Sequence, residues 1–227
     1  VGLKNVGNTC FMNTGLQCLG HIEPLVKYFL SGDFKKELNV TNPLSCKGEL
    51  AQTFADLLKA LWTSEQKVYD PRTFRRTLKR VAPHLIEGDE QQDVQEFLAF
   101  CIDGLHEDLN RVKKPPPPAS RKQAKSDENL KDKGKDYAAA LAWVRHLERG
   151  QSMLVDLMQG QLRSSLTCSQ CGHKSCSYDP FTYLSLPVTK TMSQVTECIS
   201  KYTEKEELIG DERWHCDVCK TKVDATK

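Results

Sequence analysis

The 227 residues carry 32 Lys and Arg against 30 Asp and Glu, which gives a formal net charge of +2. A nearly balanced charge argues against a protein that works mainly by coating nucleic acid or an anionic membrane. The hydrophobic share is 39%, the charged share is 27%, and no apolar run approaches the roughly 20 residues that span a bilayer, so the composition is typical of a globular protein.

Residues 1–112 are predicted to be rich in helix. An apolar helical pattern begins at Cys10, and apolar residues spaced by three and four positions predict longer helices over 49–62 and 93–109. A short helix is expected after Pro71. The chain has ten cysteines, but its long helical patterns do not fit a secreted disulfide scaffold, which would be short and rich in loops. We therefore expect a reducing, intracellular compartment, cytoplasmic or nuclear.

Residues 113–135 differ in composition from the segments on either side. Nine basic and three acidic residues lie between Arg111 and Lys135, and Pro115–Pro118 is a run of four prolines. Such a segment buries too little apolar surface to offset the entropy of ordering it, so we predict a flexible insertion. The proline run also suits a polyproline helix, which leaves a proline-recognising domain open as a partner.

The last part of the chain, residues 136–227, is predicted to combine helix and strand. A helical pattern covers 137–149, and alternating residues predict strands over 160–167 and 182–188. A helical first part followed by a part that contains strands indicates an α+β protein.

Two C-x-x-C pairs, Cys168 with Cys171 and Cys216 with Cys219, lie at predicted turns of this last part. Four thiolates suit tetrahedral Zn²⁺. The 44 residues between the pairs place them on two separate hairpins that a metal would clamp together. A site with four protein ligands has no open position for chemistry, so its role would be structural. Four unrelated thiols or a redox pair are the alternatives.

Cys10 follows a loop that contains Gly2 and Gly7, and it starts the first predicted helix. The unpaired N–H groups and the positive dipole end at a helix start favour the thiolate, which is the nucleophilic form of cysteine. Asn5 and Asn8 place amide donors in the same loop, and an oxyanion needs donors beside the nucleophile. A cysteine at a helix start is also a common small buried residue, so both roles stay open.

Several collinear segments resemble a known family. The stretch GLKNVGNTCFMNTGLQCL at 2–19 resembles the Cys box of the ubiquitin-specific proteases, the peptidase C19 deubiquitinases. Later blocks of the family are matched by EQQDVQEFL at 90–98, GQLRSSLTC at 160–168, YLSLP at 183–187, WHCDVC at 214–219 and DATK at 224–227. Two further segments, LHEDLNRV at 105–112 and DPF at 179–181, resemble the branch with upstream DUSP and ubiquitin-like domains.

The resemblance implies a papain-like cysteine protease fold with thumb, palm and zinc-bearing fingers. Residues 1–112 would form the helical thumb with the Cys box, and residues 136–227 would form the start of the palm and the fingers. Cys10 takes the position of the nucleophile. Asn5 takes the oxyanion-hole position, with its side-chain amide facing the tetrahedral intermediate.

Asp93 and Glu96 match carboxylates that bind the C-terminal tail of ubiquitin in this family. That tail carries arginines, and carboxylates pair with arginine in a bidentate geometry. A structural role is open for the same two residues, because Asp93 is also placed to cap a helix. Glu96, three residues on, would then complete a capping box.

A thiol protease also needs a histidine base and a polar group that orients it. In this family both come from a C-terminal block, and the sequence stops before the strand that precedes that block. None of the six histidines lies in a sequence that resembles it. We therefore expect the chain to be the N-terminal two-thirds of a catalytic domain.

The resemblance implies a deubiquitinase that hydrolyses the isopeptide or peptide bond after the C-terminal Gly of ubiquitin. Its partners would be ubiquitin and ubiquitinated proteins, and Zn²⁺ would be a structural cofactor. The alternative is a catalytically inert ubiquitin-binding module that uses its zinc fingers for recognition. The combination of Asn5 and Cys10 favours the enzyme, because it has no evident use in a pure binding protein.

Overall fold

The computed structural model describes residues 1–86, 90–117 and 134–227, with the backbone alone for Lys135. The predicted flexible insertion lies largely outside these ranges, as does Pro118 of the proline run. The chain divides into two compact units, residues 1–118 with 147–158 and residues 119–146 with 159–227. No helix within the described ranges has both the length and the apolar character needed to cross a bilayer.

The described elements are helices of 4 to 15 residues and strands of 2 to 9 residues. The helices are α1 (Cys10–Leu19), α2 (Glu23–Ser31), α3 (Phe34–Glu37), α4 (Glu49–Thr63), α5 (Arg72–Leu78), α6 (Pro83–Ile86), α7 (Val94–Asp108), α8 (Lys135–Leu147), α9 (Met153–Met158) and α10 (Val195–Tyr202). The strands are β1 (Gly2–Leu3), β2 (Val68–Tyr69), β3 (Gly160–Cys168), β4 (Lys174–Phe181), β5 (Glu207–Leu208), β6 (Trp214–Cys216), β7 (Thr221–Val223) and β8 (Ala225–Thr226).

The apolar core of the first unit forms around α4. This helix buries the face that its sequence pattern predicts, and it packs against α2, α5 and α7. The predicted helices over 49–62 and 93–109 are confirmed as α4 and α7, and the short helix after Pro71 is α5. The buried residues of α4 are Leu50, Ala51, Phe54, Ala55, Leu57, Leu58 and Leu61.

A close approach of α1 to α7 positions the start of α1. Gly15 lies against the Phe97 ring of α7, and a Cβ on Gly15 would be 2.5 Å from Phe97 Cε1. A larger residue would push the two helices apart, since Cβ atoms do not come this near to a ring carbon. Phe11 also meets Phe97 edge to face, with ring centroids 6.0 Å apart. The N-terminal end of α1, with Cys10, is therefore held against the α7 region.

The second unit contains a four-stranded sheet, in the order β4-β3-β8-β5, and the separate hairpin β6-β7. Strand β3 confirms the prediction for 160–167, and α8 confirms most of the helix predicted over 137–149. The predicted strand over 182–188 is wrong, because the strand is β4 over Lys174–Phe181. Phe181 pairs with Gly160 at the beginning of β3, so residues beyond 181 have passed the end of their partner strand. Pro187 also lacks the N–H that a ladder needs.

Candidate active site and candidate metal centre

Cys10 is the first residue of α1, and its side chain is exposed. The loop before it turns through left-handed conformations at Gly7 (φ 104°) and Asn8 (φ 44°), which glycine and asparagine adopt more readily than other residues. The hydroxyl of Thr9 is directed to Asn5 and not to the first N–H groups of the helix. Those N–H groups are therefore left beside Cys10, where they favour an anion.

Asn5 and Thr9 lock the loop in front of Cys10. Asn5 Oδ1 accepts hydrogen bonds from the Thr9 N–H (3.1 Å) and from the Thr9 hydroxyl (3.3 Å). The same hydroxyl accepts from the Val6 N–H at 3.1 Å, and Thr9 is 1% exposed. The described hydrogen bonds of the Asn5 side chain thus occupy its Oδ1 atom. The Nδ2 group is the part of the amide that can donate a hydrogen bond to another molecule.

Gln91 is the side chain that the structure brings to the candidate nucleophile. The Cys10 thiol donates to Gln91 Oε1 with a sulfur–oxygen distance of 3.6 Å. The sequence prediction covered Gln91 within the block 90–98 but assigned it no role. The sequence feature that could have pointed to Gln91 is its position two residues before Asp93, a predicted site residue. The contact joins two segments that are 81 residues apart in the sequence.

Asp93 is the N-cap of α7. Its Oδ1 accepts from the Gln95 N–H at 2.6 Å, so the capping role that the sequence left open is present. Capping does not exclude a second role, since a carboxylate offers about four acceptor positions on its two oxygens. Asp93 is exposed, which leaves the rest of the carboxylate accessible.

Glu96 lies in the first turn of α7, and its carboxylate is directed to a histidine and not to the Asp93 backbone. Glu96 Oε1 is 3.3 Å from His84 Nε2, and both side chains are about half exposed, at 46% and 50%. The His84 ring in turn meets Phe100 edge to face, with ring centroids 4.9 Å apart. The structure therefore gives Glu96 a cationic or donor partner in place of the capping box.

All six histidines lie in the described residues, and the hydrogen bond that Cys10 makes in that part of the chain goes to Gln91 and not to any of them. Four of them contact side chains or backbone elsewhere in the fold, and the His173 ring stacks on Trp214 with centroids 6.2 Å apart. The four contacts are His21 with Gln17, His84 with Glu96, His106 with Ser152 and His146 with Gln159.

The four predicted metal-ligating cysteines come together at the tips of two hairpins. Cys168 and Cys171 lie at the turn between β3 and β4, and Cys216 and Cys219 lie at the turn between β6 and β7. The four sulfur atoms lie within 4.8 Å of one another. The arrangement confirms the prediction of two hairpins whose thiols face a common centre.

The sulfur–sulfur distances fit a tetrahedral metal ion. Cys168 and Cys219 are 3.8 Å apart, and Cys171 and Cys216 are 3.7 Å apart. Zn–S bonds of about 2.3 Å in a tetrahedron place the sulfur atoms about 3.8 Å from one another. A disulfide would require about 2.05 Å. The described cysteines at this site are therefore placed to hold one metal ion.

The turn of each hairpin repeats the same local geometry. The residue after the second cysteine is left-handed in both, Gly172 with φ 69° and Lys220 with φ 55°. In both turns a backbone N–H donates back to the first cysteine's carbonyl oxygen, from Gly172 to Cys168 (3.0 Å) and from Lys220 to Cys216 (2.8 Å). Because the two turns have the same backbone conformation, each of them directs its two thiols to the same side, which suits a metal ion bound by both pairs.

The electrostatics of the cluster also favour a cation. The Cys171 N–H donates to the Cys168 sulfur and holds the pKa of Cys168 at about 7, below the usual thiol range. Contact with Cys171 and the other thiols raises the pKa of Cys219 to about 12. Ionisation of one thiol therefore makes ionisation of a neighbouring thiol less favourable, because like charges at this distance repel. A divalent cation removes that conflict, since its ligands are deprotonated thiolates.

Comparisons with known proteins agree with this geometry. The sequence profile of the family described as "Ubiquitin carboxyl-terminal hydrolase" matches residues 1–222. The putative ubiquitin carboxyl-terminal hydrolase 11 of Arabidopsis thaliana is 47% identical over 193 residues, which cover 85% of this chain and 21% of that protein. Human ubiquitin carboxyl-terminal hydrolase 15 is 43% identical over 196 residues, covering 86% and 19%. The chain thus spans about a fifth of the length of these relatives.

Solved structures are similar over nearly the whole chain. A chain of the SAGA Ubp8/Sgf11/Sus1/Sgf73 DUB module bound to ubiquitin aldehyde gives a TM-score of 0.66 at 25% identity, over 99% of this chain and 43% of that one. The same module bound to monoubiquitin gives 0.67 at 23% identity, which supports the fold alone. The predicted α+β fold and the predicted resemblance to the ubiquitin-specific proteases are confirmed, while the branch with DUSP and ubiquitin-like domains stays a prediction. With a profile match over nearly all of its residues, the chain belongs to the ubiquitin carboxyl-terminal hydrolase family.

Proposed function

We propose that the protein is a cysteine deubiquitinase, which hydrolyses the isopeptide or peptide bond after the C-terminal Gly of ubiquitin. The observation that carries the proposal is the position of Cys10. Its exposed thiol lies at the start of α1 and contacts Gln91, in the segment that leads to Asp93 and α7. Membership of the family and the ubiquitin-bound state of the similar Ubp8 module support the same function.

The proposed reaction uses the groups around Cys10 in a defined order. The Cys10 thiolate attacks the carbonyl carbon of the C-terminal Gly, and the Asn5 Nδ2 group donates to the resulting oxyanion. The amine leaves with a proton from a protonated histidine, and a thioester of ubiquitin remains on Cys10. Water then attacks the thioester and releases ubiquitin. We assign the histidine to none of the six in this sequence, because none of them lies in a segment that resembles the histidine block of the family.

Asp93 and Glu96 are proposed to bind the basic tail of ubiquitin. Both are exposed carboxylates at the start of α7, two and five residues after Gln91, which touches Cys10. Arginine side chains pair with such carboxylates through two parallel hydrogen bonds. Because His84 already approaches Glu96, an incoming arginine would share or replace that contact.

Cys168, Cys171, Cys216 and Cys219 are proposed to hold one structural Zn²⁺. Bound there, the ion would supply folding free energy to the two hairpins and no catalysis, since all four positions would be taken by protein sulfur. The expected reducing compartment, cytoplasm or nucleus, stays a prediction from the cysteine usage of the sequence. A proline-recognising partner at Pro115–Pro118 stays a prediction.

The deciding experiment is capture of ubiquitin that carries a C-terminal electrophile, followed by intact mass measurement of the full-length protein. We expect one added ubiquitin, which is lost in Cys10→Ala and kept in Cys18→Ala. Cys18 is the matched control, because it is also an exposed cysteine on α1. An adduct that survives Cys10→Ala would refute the assignment of the nucleophile. Ubiquitin binding without any adduct would favour the inert binding module.

A further inference from the structure

Asn13 holds the backbone immediately before Asn5. It lies on α1, one turn after Cys10, and is partly buried. Its Nδ2 group donates to the carbonyl oxygens of Leu3 (3.3 Å) and Lys4 (3.1 Å). Carbonyl oxygens only accept hydrogen bonds, so these two contacts fix which end of the amide is the nitrogen.

The peptide groups around Lys4 are anchored from two directions. The Lys4 N–H donates to the Tyr69 carbonyl oxygen at 2.9 Å, which continues the parallel pairing of β1 with β2. The Lys4 carbonyl accepts from Asn13. The next residue is Asn5, whose Oδ1 is already bound by Thr9. With the backbone before it anchored and its own oxygen occupied, Asn5 has little freedom in where its Nδ2 group lies.

The oxygen of the Asn13 amide shows that the stabilising contacts of this side chain come from its nitrogen. Asn13 Oδ1 is buried and has no hydrogen-bond partner among the residues that the structure describes. A buried acceptor without a partner is unfavourable for folding. The favourable contribution of this side chain therefore comes from its donor end, which holds the strand that leads to Asn5.

We propose that Asn13 is a positioning residue for Asn5, the donor to the oxyanion; this inference rests on the proposed function. Asn13 sets the place of the Asn5 amide through the Lys4 carbonyl and does not touch the substrate. The oxyanion exists only after attack on the carbonyl, so the contribution appears in the transition state. Loss of Asn13 then lowers kcat and leaves KM nearly unchanged.

The test measures steady-state hydrolysis of a fluorogenic C-terminal amide of ubiquitin by the full-length protein. We expect Asn13→Ala to lower kcat by about tenfold or more, a part of the roughly 10²–10³-fold loss typical of an oxyanion donor. Asn13→Asp has nearly the same shape, but it places an acceptor against two carbonyl oxygens. It should lose at least as much kcat as Asn13→Ala, because the like-charged oxygens repel.

Gln17→Ala is the matched control. Gln17 lies one turn further along α1, is also partly buried, and donates to the Val1 carbonyl at 3.2 Å. It ties the same N-terminal segment at a point remote from Asn5. We expect its kcat to stay within about twofold of the unmodified protein. An equal loss in Gln17→Ala and Asn13→Ala would mean that general fraying of the segment is responsible, and would overturn the inference.

A double-mutant cycle with Asn5→Ala separates positioning from a general structural effect. If Asn13 acts through Asn5, then adding Asn13→Ala to Asn5→Ala changes kcat by less than about twofold. Losses that multiply would overturn the inference even if the variants are less stable, since instability would act in both backgrounds. Alkylation of Cys10 by iodoacetamide forms no oxyanion, and its rate should be the same in Asn13→Ala.

The two proposals fail in different ways. If the unmodified protein shows no turnover, or if its turnover does not depend on Cys10, the proposed function is overturned and this inference with it. An active protein in which Asn13→Ala retains full kcat, or raises KM alone, would overturn the role of Asn13 and leave the deubiquitinase intact.

Discussion

The two units are stabilised by different means. The first has an apolar core in which Phe34, Phe54, Phe74 and Phe97 are at most 2% exposed. The buried cluster of the second consists of Cys168, Cys216 and Val223, with Trp214 and Cys219 packed against it. Its two longest strands, β3 and β4, contain a single fully buried residue between them, Cys168 at the end of β3. We therefore expect burial of side chains to suffice for the first unit, and the hairpins of the second unit to depend on the proposed metal ion.

The candidate active-site residues lie where the first kind of stabilisation operates. Cys10, Asn5 and Asp93 lie at or beside helix starts, and those helices are anchored by the packing of Gly15 against Phe97. Groups held by a packed core keep their geometry, which is what donors to an oxyanion require. Four predictions test this difference in how the two units are stabilised, and they follow from the largest expected effect to the smallest.

If the four thiols hold the proposed Zn²⁺, its removal should have the largest effect, and that effect should be confined to the second unit. Structural zinc contributes about 10–16 kcal/mol in small zinc peptides, so a chelator should unfold both cysteine hairpins. We expect hydrogen exchange to accelerate at the β3–β4 turn and in β6–β7, while α4 and α7 keep their protection. Loss of protection across both units would contradict the division, and zinc-free protein with protected hairpins would refute the metal site.

Truncation of a core side chain should destabilise the first unit. Phe54 is fully buried and meets Phe29 edge to face at 5.0 Å, so Phe54→Ala should lower the free energy of unfolding by about 3–5 kcal/mol. Bound metal per chain should be unchanged. Ile209→Ala is the control in the second unit, because this side chain is 60% exposed and should matter by less than about 0.5 kcal/mol.

Removal of the Asp108 carboxylate should have a smaller effect on the same core. Asp108 is fully buried, and it accepts from the Gly48 N–H (3.1 Å) and the Ala51 N–H (3.0 Å) at the start of α4. Gly48, the N-cap residue, has no side chain of its own to do this. Asp108→Ala should cost about 1–3 kcal/mol in chemical denaturation, and Asp108→Asn less, because it keeps one acceptor. Equal losses in both variants would show that the charge, and not the cap, is what matters.

Changes at Asp93 should have the smallest effect on stability and should separate its two roles. Asp93→Ala removes the cap of α7 and should cost about 1 kcal/mol, while Asp93→Asn keeps a capping oxygen and should cost little. If the carboxylate also binds the ubiquitin tail, both variants raise KM for ubiquitin substrates. A KM that rises only in Asp93→Ala would show that the cap accounts for the whole effect.

Local chemistry made the elements of this protein predictable. The apolar spacing of α4 and α7 and the turn residues of the two C-x-x-C pairs act over a few positions, and the structure agrees with each. The strand predicted over 182–188 was wrong, because alternation marks a strand only where a partner exists. The partner strand, β3, begins at Gly160, which lies opposite Phe181, so residues after Phe181 have no partner in β3. A strand's limits are therefore decided by pairing, which the pattern of one segment does not contain.

The sequence by itself determined which residues carry the chemistry: a cysteine at a helix start, asparagines in the loop before it and four thiols in two turns. Only the tertiary structure decided how they are held. Gln91 reaches Cys10, Asp108 caps α4, and Asn13 holds the carbonyls that precede Asn5. The reason is physical, because residue type and spacing set the local conformation of a segment. Contacts between distant segments depend instead on how all the helices and strands pack together, and no single segment of the sequence specifies that packing.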